Sequence, residues 1–190
     1  MSTITASVEK KLWTYADYIQ NTPEDNIHRE VIAGELIVSP SPNLNHQRTL
    51  TNLAYIVIQF VKEHHLGQVF IAPMDVVLND TNILQPDLLF VPTSKKELLS
   101  NRKNVWGAPE WVVEIISPRT RRIDRTTKAG LYASYAVSEY WIIDPDEQTI
   151  DVFVLERGVY REREFAEGEV QSQVLAGLTV KLSDVFEDLD

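Results

Sequence analysis

Two short runs, QPDLLFV at residues 85–91 and EWVVEIISP at residues 110–118, constrain the fold of this chain more than any other feature. Each is apolar along most of its length and reads as a strand that must be buried. Yet each carries one carboxylate, Asp87 and Glu114. Side chains alternate along a strand, so Glu114 shares a face with Val112 and Ile116, while Trp111, Val113 and Ile115 point the other way. An ionised acid in apolar surroundings is costly unless it is paired or bound to a metal. Either the two acids sit at strand ends, where water or an arginine meets them, or they gather around a cation. With no cysteine in the chain, a metal must be held by oxygen or by the four histidines. Oxygen ligands favour magnesium, manganese or calcium over zinc.

The periodicity around these runs sets the order of elements. Thr14 followed by Asp17 reads as a capping box, with Trp13 and Tyr18 as its hydrophobic staple, for a short helix ending before Pro23. REVIAGELIV alternates about Ala33-Gly34, a hairpin whose tight turn puts Glu30, Ile32, Glu35 and Ile37 on one face. After the connector SPSPNLN, the residues His46, Leu50, Leu53, Val57 and Phe60 recur at helical spacing and lay one stripe against something flat. QVFIAPMDVVL and ILQPDLLFV form a hairpin about NDTN, with Pro73 driving its strand toward an edge or a bulge. A basic helical connection leads to EWVVEIIS. An arginine-rich loop follows, and then a helix, RTTKAGLYASYAV, with Asp124 as its N-cap. EYWIIDP, TIDVFVL and VYRERE are further strands, and LTVKLSDVFEDL ends in a short helix. No repeat or linker interrupts the chain, so a single α/β domain over residues 1–190 is expected.

Composition narrows the setting. A chain of 190 residues can bury one ordinary core. No apolar run approaches the roughly 18 residues of a membrane span, and the N-terminus lacks a basic head followed by an apolar stretch. The absence of cysteine fits a reducing compartment, so a cytoplasmic protein is the expectation. A formal charge of −10 argues against a nucleic-acid partner. The average conceals a pattern, because nine basic residues against four acidic ones lie between Lys95 and Lys128, half of all the lysine and arginine. Such a run can also be no more than a solvated face.

The ordered combination of QPDLLFV, WVVEIISP and DRTTKAGLYASYAVSEYWIIDP resembles the Uma-type family of restriction endonucleases, a branch of the PD-(D/E)XK nuclease superfamily. The resemblance runs from REVIAGELIVSPSP to a strand pair ending near Leu155. Its specific marks are Pro-Asp, Glu-x-x-Ser-Pro, a lysine ten residues beyond that proline, and Tyr-Trp-x-x-Asp-Pro. It implies an α/β, restriction-endonuclease-like core, a mixed central sheet flanked by helices, here with an added N-terminal β-hairpin. The active site would lie where the second and third core strands part. The resemblance further implies a Mg2+- or Mn2+-dependent DNA endonuclease with Asp87 and Glu114 as metal ligands. The signature lysine, two residues after the glutamate, is replaced here by Ile116, and Lys128 on the following helix is the best substitute, although with Asp124 it could also form just an i,i+4 ion pair on a helix surface. A hydrophobic surrounding would lower the pKa of Lys128 enough for it to share a proton with the attacking water. Glu30 is the candidate third acid, and His46 would orient a phosphate or water. Asp75 and Tyr132, the latter one helical turn beyond Lys128, are further candidates. Arg119, Arg121, Arg122 and Arg125 would hold the nucleic-acid backbone. Cutting both strands with one active site per chain would favour a two-fold homodimer. Ile116 and the acidic bulk also leave open a nuclease fold that has lost catalysis and acts as a nucleic-acid-binding or regulatory module.

Overall fold

The computed structural model describes residues 11–189 except Glu24 and Asn26. Residues 1–10, which carry most of the reading of the N-terminus, lie outside the described residues. The chain runs α1 (Tyr15–Asn21), β1 (Arg29–Ile32), β2 (Glu35–Val38), α2 (Leu44–Glu63), β3 (Gly67–Ile71), β4 (Val76–Asn79), β5 (Asn82–Leu84) and β6 (Leu88–Pro92). A 3₁₀ segment (Thr93–Leu99) leads to β7 (Val105–Trp106) and β8 (Trp111–Ile115). Next come α3 (Arg121–Ile123), a π-helical turn (Asp124–Lys128) and α4 (Ala129–Ser134). β9 (Glu139–Asp144), β10 (Thr149–Glu156), β11 (Val159–Arg163), β12 (Glu169–Gln171), β13 (Thr179–Lys181) and α5 (Leu182–Val185) complete the chain.

The main sheet has the order β11-β10-β9-β8-β6-β3 and is mixed, since β8 and β9 run parallel while the other neighbours are antiparallel. A parallel pair needs a crossover, and the helical run from α3 to α4 supplies it. A second sheet has the order β2-β1-β5-β4-β7. The expected α/β class, a mixed sheet flanked by helices with an N-terminal hairpin, is the one observed. In that hairpin Ala33 and Gly34 both take positive φ, 49° and 75°, as a two-residue turn of this hand requires. Glu30 therefore pairs with Ile37 and Ile32 with Glu35. The capping box on α1 also forms: the Thr14 side chain accepts from the Asp17 N–H, and the Asp17 side chain accepts from the Thr14 N–H.

The long hairpin corrects the sequence reading. Its two arms are each broken by a proline, Pro73 and Pro86, which cannot donate to a ladder. The breaks lie side by side, with the Ala72 N–H donating to the Asp87 carbonyl at 3.0 Å. The outer halves, β3 and β6, pair in the main sheet, and the inner halves, β4 and β5, pair in the second. Asp87 thus stands where the chain passes from one sheet to the other. Pro73 leaves β3 at the sheet edge, as its position in the sequence implied.

β8 is covered on both faces, which is why it reads as a continuous apolar run. Trp111, Val113 and Ile115 pack with Leu50, Leu53, Val57 and Val61 of α2. Val112 and Ile116 pack with Val76 and Leu84 of the second sheet and Tyr132 of α4. Burying each large side chain of this kind stabilises the fold by about 1.5–3 kcal/mol. Asp124 does not cap a helix as expected. Its N–H already donates to the Thr120 carbonyl at 3.0 Å, so the helical run starts earlier and Asp124 lies within it. Among the described residues no helix is long and apolar enough to cross a membrane.

Candidate active site

The β6–β8 ladder pairs Phe90 with Trp111, Leu89 with Val112 and Leu88 with Val113. Asp87 directly precedes β6 and Glu114 follows Val113 on β8, so both acids lie at the same end of that paired segment. The Ile115 N–H donates to Asp87 Oδ2 at 2.7 Å and fixes that carboxylate. The helical run delivers Asp124, Lys128 and Tyr132 toward Glu114, and all three are buried. Spacings of four residues already share a helix face, and the wider π turn carries Asp124 and Lys128 inward together.

The Lys128 ammonium is the hub of the site. Its Nζ lies 2.9 Å from Glu30 Oε2, 3.0 Å from Glu114 Oε1 and 3.4 Å from Asp124 Oδ1. The Tyr132 hydroxyl also donates to Glu114 Oε1, at 2.8 Å. Glu30 reaches in from β1, where its other oxygen accepts the Gln85 N–H at 2.9 Å and lies 3.6 Å from His28 Nε2. His46 Nε2 stands 3.2 Å from Asp87 Oδ1. Asn43 caps α2 by accepting the His46 N–H at 2.9 Å, so the first turn of α2 sets the imidazole in place. Asp87, Glu114, Lys128, Glu30, His46 and Tyr132 therefore converge from five separate parts of the chain. Asp75 stands apart. It accepts from Tyr18 at 3.1 Å and from the Gln85 side chain at 2.7 Å, and reaches Glu30 only through Gln85.

The electrostatics overturn one expectation. Burial does push the Lys128 pKa down, but Glu114, Glu30 and Asp124 outweigh it and hold the pKa well above the usual lysine range. The surroundings are acidic rather than apolar, and they favour the charged ammonium. Nor is Lys128 in a surface ion pair, since it is 4% exposed. Burial pushes Glu30 up, yet Lys128 and His28 pull it below the ordinary carboxylate range. Glu114 stays raised, first by burial and then by Asp124, Glu30 and Asp87, against the pull of Lys128. Burial likewise lifts Asp124 despite Lys128. Burial pushes His46 down, but its bond to Asp87 and the charge there carry it above the usual imidazole value.

One ammonium faces three carboxyl groups, and burial together with their mutual crowding keeps Glu114 and Asp124 raised. Asp87 and Glu114 both line a cleft of about 380 Å³. Two carboxylates beside open space suit Mg2+ or Mn2+, which are bound through few protein oxygens and keep much of their water. Among the described residues no three or more His, Cys, Asp or Glu side chains form a ready-made metal cage. The two acids offer oxygen donors, the type that hard cations take, whereas zinc favours nitrogen and sulfur. Ile116, in the signature-lysine position, is buried in the core with Val112 and Tyr132.

The arginines divide into two pairs. Arg121 pairs with Asp144 and Arg125 with Asp151, each at 2.5 Å. Arg119 and Arg122 are exposed, as Arg125 is, but have no acidic partner among the described residues, and Arg119 lines the cleft. The four-residue spacing of Asp124 and Lys128 points in the sequence to an ion pair on a helix surface; the pair forms, but it is buried. Sequence reasoning missed His28, for which no local pattern exists.

Known proteins share this arrangement at the level of the whole fold. The crystal structure of a putative nuclease from Anabaena variabilis superposes with a TM-score of 0.75 at 22% identity, covering 91% of this chain and 97% of that one. That similarity shows the fold. An uncharacterized protein of Synechocystis sp. is 24% identical over 136 residues, 70% of this chain and 76% of its own length. The residues that line the cleft, from His28 to Asp146, all fall within residues 15–183, which match the Uma2 family, described as a putative restriction endonuclease; the chain belongs to that family.

Proposed function

We propose that the protein is a metal-dependent endonuclease that hydrolyses DNA phosphodiester bonds in this cleft. The observation that carries the reading is the Lys128 ammonium 3.0 Å from Glu114, which gives the acid a cationic neighbour although Ile116 occupies the usual lysine position. Bound by Asp87 and Glu114, Mg2+ or Mn2+ would supply an acidified water and neutralise charge growing on the phosphoryl oxygens. Lys128, kept charged by its acidic neighbours, acts as a fixed cation toward the attacking water and the phosphate rather than as a base. Glu30 holds Lys128 in place, and the Gln85 backbone in turn holds Glu30. Tyr132 orients Glu114, and His46 orients Asp87. Arg119 and Arg122 hold the DNA backbone without reading bases. The competing reading, a module that binds nucleic acid without cutting it, draws on Ile116 and on the acidic charge of the chain.

Calorimetric titration with Mn2+ and a cleavage assay, run side by side on wild type, Asp87→Ala and Glu114→Gln, decide between them. Wild type is expected to bind Mn2+ more tightly as pH rises and Glu114 gives up its proton, because the metal competes with that proton. Both variants should lose binding and cleavage. Equal Mn2+ affinity in Glu114→Gln moves the site elsewhere. DNA binding by wild type with no cleavage under Mg2+ or Mn2+ replaces the nuclease with the binding module.

A further inference from the structure

We infer that Arg102 and Lys103, on the loop ahead of β7, form a second contact to the DNA backbone, outside the cleft and on the same duplex. The inference rests on the DNA-binding part of the reading above and names a surface that reading leaves out. Of the nine basic residues between Lys95 and Lys128, Lys95 pairs with Glu110, Arg121 with Asp144, Arg125 with Asp151, and Lys128 with the acids of the site. Lys96, Arg102, Lys103, Arg119 and Arg122 are exposed and have no acidic partner among the described residues. The fold sets two of these in line with the cleft. β1 and β4 are each antiparallel to β5, and β7 is parallel to β4, so β1 and β7 run in the same direction. The residues that lead into β1 and β7 therefore lie at one end of the second sheet. His28, just before β1, lines the cleft, and Arg102 and Lys103 come just before β7. With β5 and β4 between them, three strand spacings, about 14 Å, separate the two places. That is too far for one phosphate to serve both. It is well within one duplex, whose phosphates follow one another about every 3.4 Å along a strand.

The loop is held in one shape. The Asn101 side chain accepts the N–H groups of Lys103 and Asn104 at 2.9 and 3.2 Å, and the buried Asn104 side chain donates to the Tyr15 hydroxyl at 2.6 Å. A fixed loop has less freedom to lose when it meets a ligand. Asp75, which leads into β4 beside this loop, directs its carboxylate to Tyr18 and Gln85 and not to Lys103. Arg102 sits at a φ of 57°, a left-handed conformation that glycine takes without strain and arginine rarely adopts. Strain kept at an exposed, cationic position points to use of that side chain. Lys96 provides the contrast. It is equally exposed, but the 3₁₀ segment that carries it starts beyond Pro92, at the end of β6 away from Asp87, and its neighbour Lys95 is tied to Glu110 ahead of β8.

The test compares wild type, the double variant Arg102→Gly with Lys103→Gln, and Lys96→Gln, by fluorescence anisotropy of a labelled DNA duplex across a salt series. No divalent ion is added, since a backbone contact outside the cleft needs none. The double variant should bind the duplex more weakly, and its salt slope should fall by up to about 1.8 log units, 0.9 for each of two phosphates no longer neutralised. Lys96→Gln should match wild type. Glycine relieves the backbone at position 102, so the double variant should melt no lower than wild type. Its Mn2+ affinity should also be unchanged, because neither residue lines the cleft. A lost Mn2+ affinity would make the DNA effect indirect and overturn the inference. Equal losses in Lys96→Gln and the double variant would reduce the effect to overall charge, and unchanged DNA binding by the double variant would remove the contact; both overturn this inference and leave the nuclease reading standing. A wild type that binds no duplex even at low salt overturns both.

Discussion

Lys128 serves this site differently from a lysine on the β8 strand. Coming from the helix, it links Glu114 of β8 to Glu30 of the hairpin, and so belongs to the packing as well as to the chemistry. Lys128→Met leaves three buried carboxylates without their cation, and breaking a buried pair in this way costs about 3–5 kcal/mol. Urea unfolding should show that loss at neutral pH. The loss should shrink as pH falls, because the stranded acids then bind protons. Cleavage by protein that is still folded should drop by about 10²-fold or more. Equal cleavage by the variant would remove Lys128 from the mechanism. His46 gives a pH dependence of definite sign. Its folded pKa is raised above the unfolded value of about 6.5, so the stability it contributes is complete below that value and is lost as pH rises through the folded pKa. The stability gap between wild type and His46→Asn should therefore be widest on the acid side and narrow toward alkaline pH. A gap that widens with pH would contradict the His46–Asp87 pairing.

At the scale of elements, the site depends on strands that are interrupted where they are needed. Pro73 and Pro86 split one hairpin between two sheets, and the split opens a place for Asp87 beside β8. β9 carries a different device. Glu139, at its first residue, is fully buried and accepts the N–H groups of Gln173 and Val174 at 2.7 and 2.9 Å and the Trp141 indole N–H at 2.6 Å. One carboxylate thereby ties the segment leading to β13 onto the main sheet. Glu139→Ala strands these donors, which should cost about 1–3 kcal/mol or more. Amide hydrogen exchange at residues 173 and 174 should accelerate. Mn2+ affinity should not change, because none of the cleft-lining residues is among the partners of Glu139. A change in metal affinity would mean that the anchor and the site are coupled.

For the whole molecule, charge is the dominant variable. The chain carries −10, yet its basic residues are concentrated around β8 and the helical run that follows it. The fold pairs half of the arginine cluster with Asp144 and Asp151 near the surface, so Arg119 and Arg122 are the less encumbered half. Replacing Arg119 and Arg122 together by alanine should lower DNA affinity for every sequence alike. It should also flatten the salt dependence by up to about 0.9 log units for each phosphate that is no longer neutralised. Replacing Arg121 and Arg125 should change that slope less. Fluorescence anisotropy of a labelled oligonucleotide across a salt series measures both, and a larger effect from the second pair would reverse the assignment.

Patterns a few residues long determined much of this protein. Alternation alone placed Glu114 with Val112 and Ile116, the Ala33-Gly34 turn set the register that aims Glu30, and Thr14 with Asp17 marked the first helix. These are local because pleat, turn conformation and capping are settled within a few residues of backbone. Only the tertiary structure decided the acidic surroundings of Lys128, the release of Asp124 from its expected cap, the pairing of Arg121 and Arg125, and the division of one hairpin between two sheets. The reason is physical. A charge interaction depends on distance and on exclusion of water, and both are unknown until distant segments pack together. Glu30 lies nearly a hundred residues from Lys128 in the chain, and only the folded sheet brings its carboxylate within 2.9 Å of that ammonium.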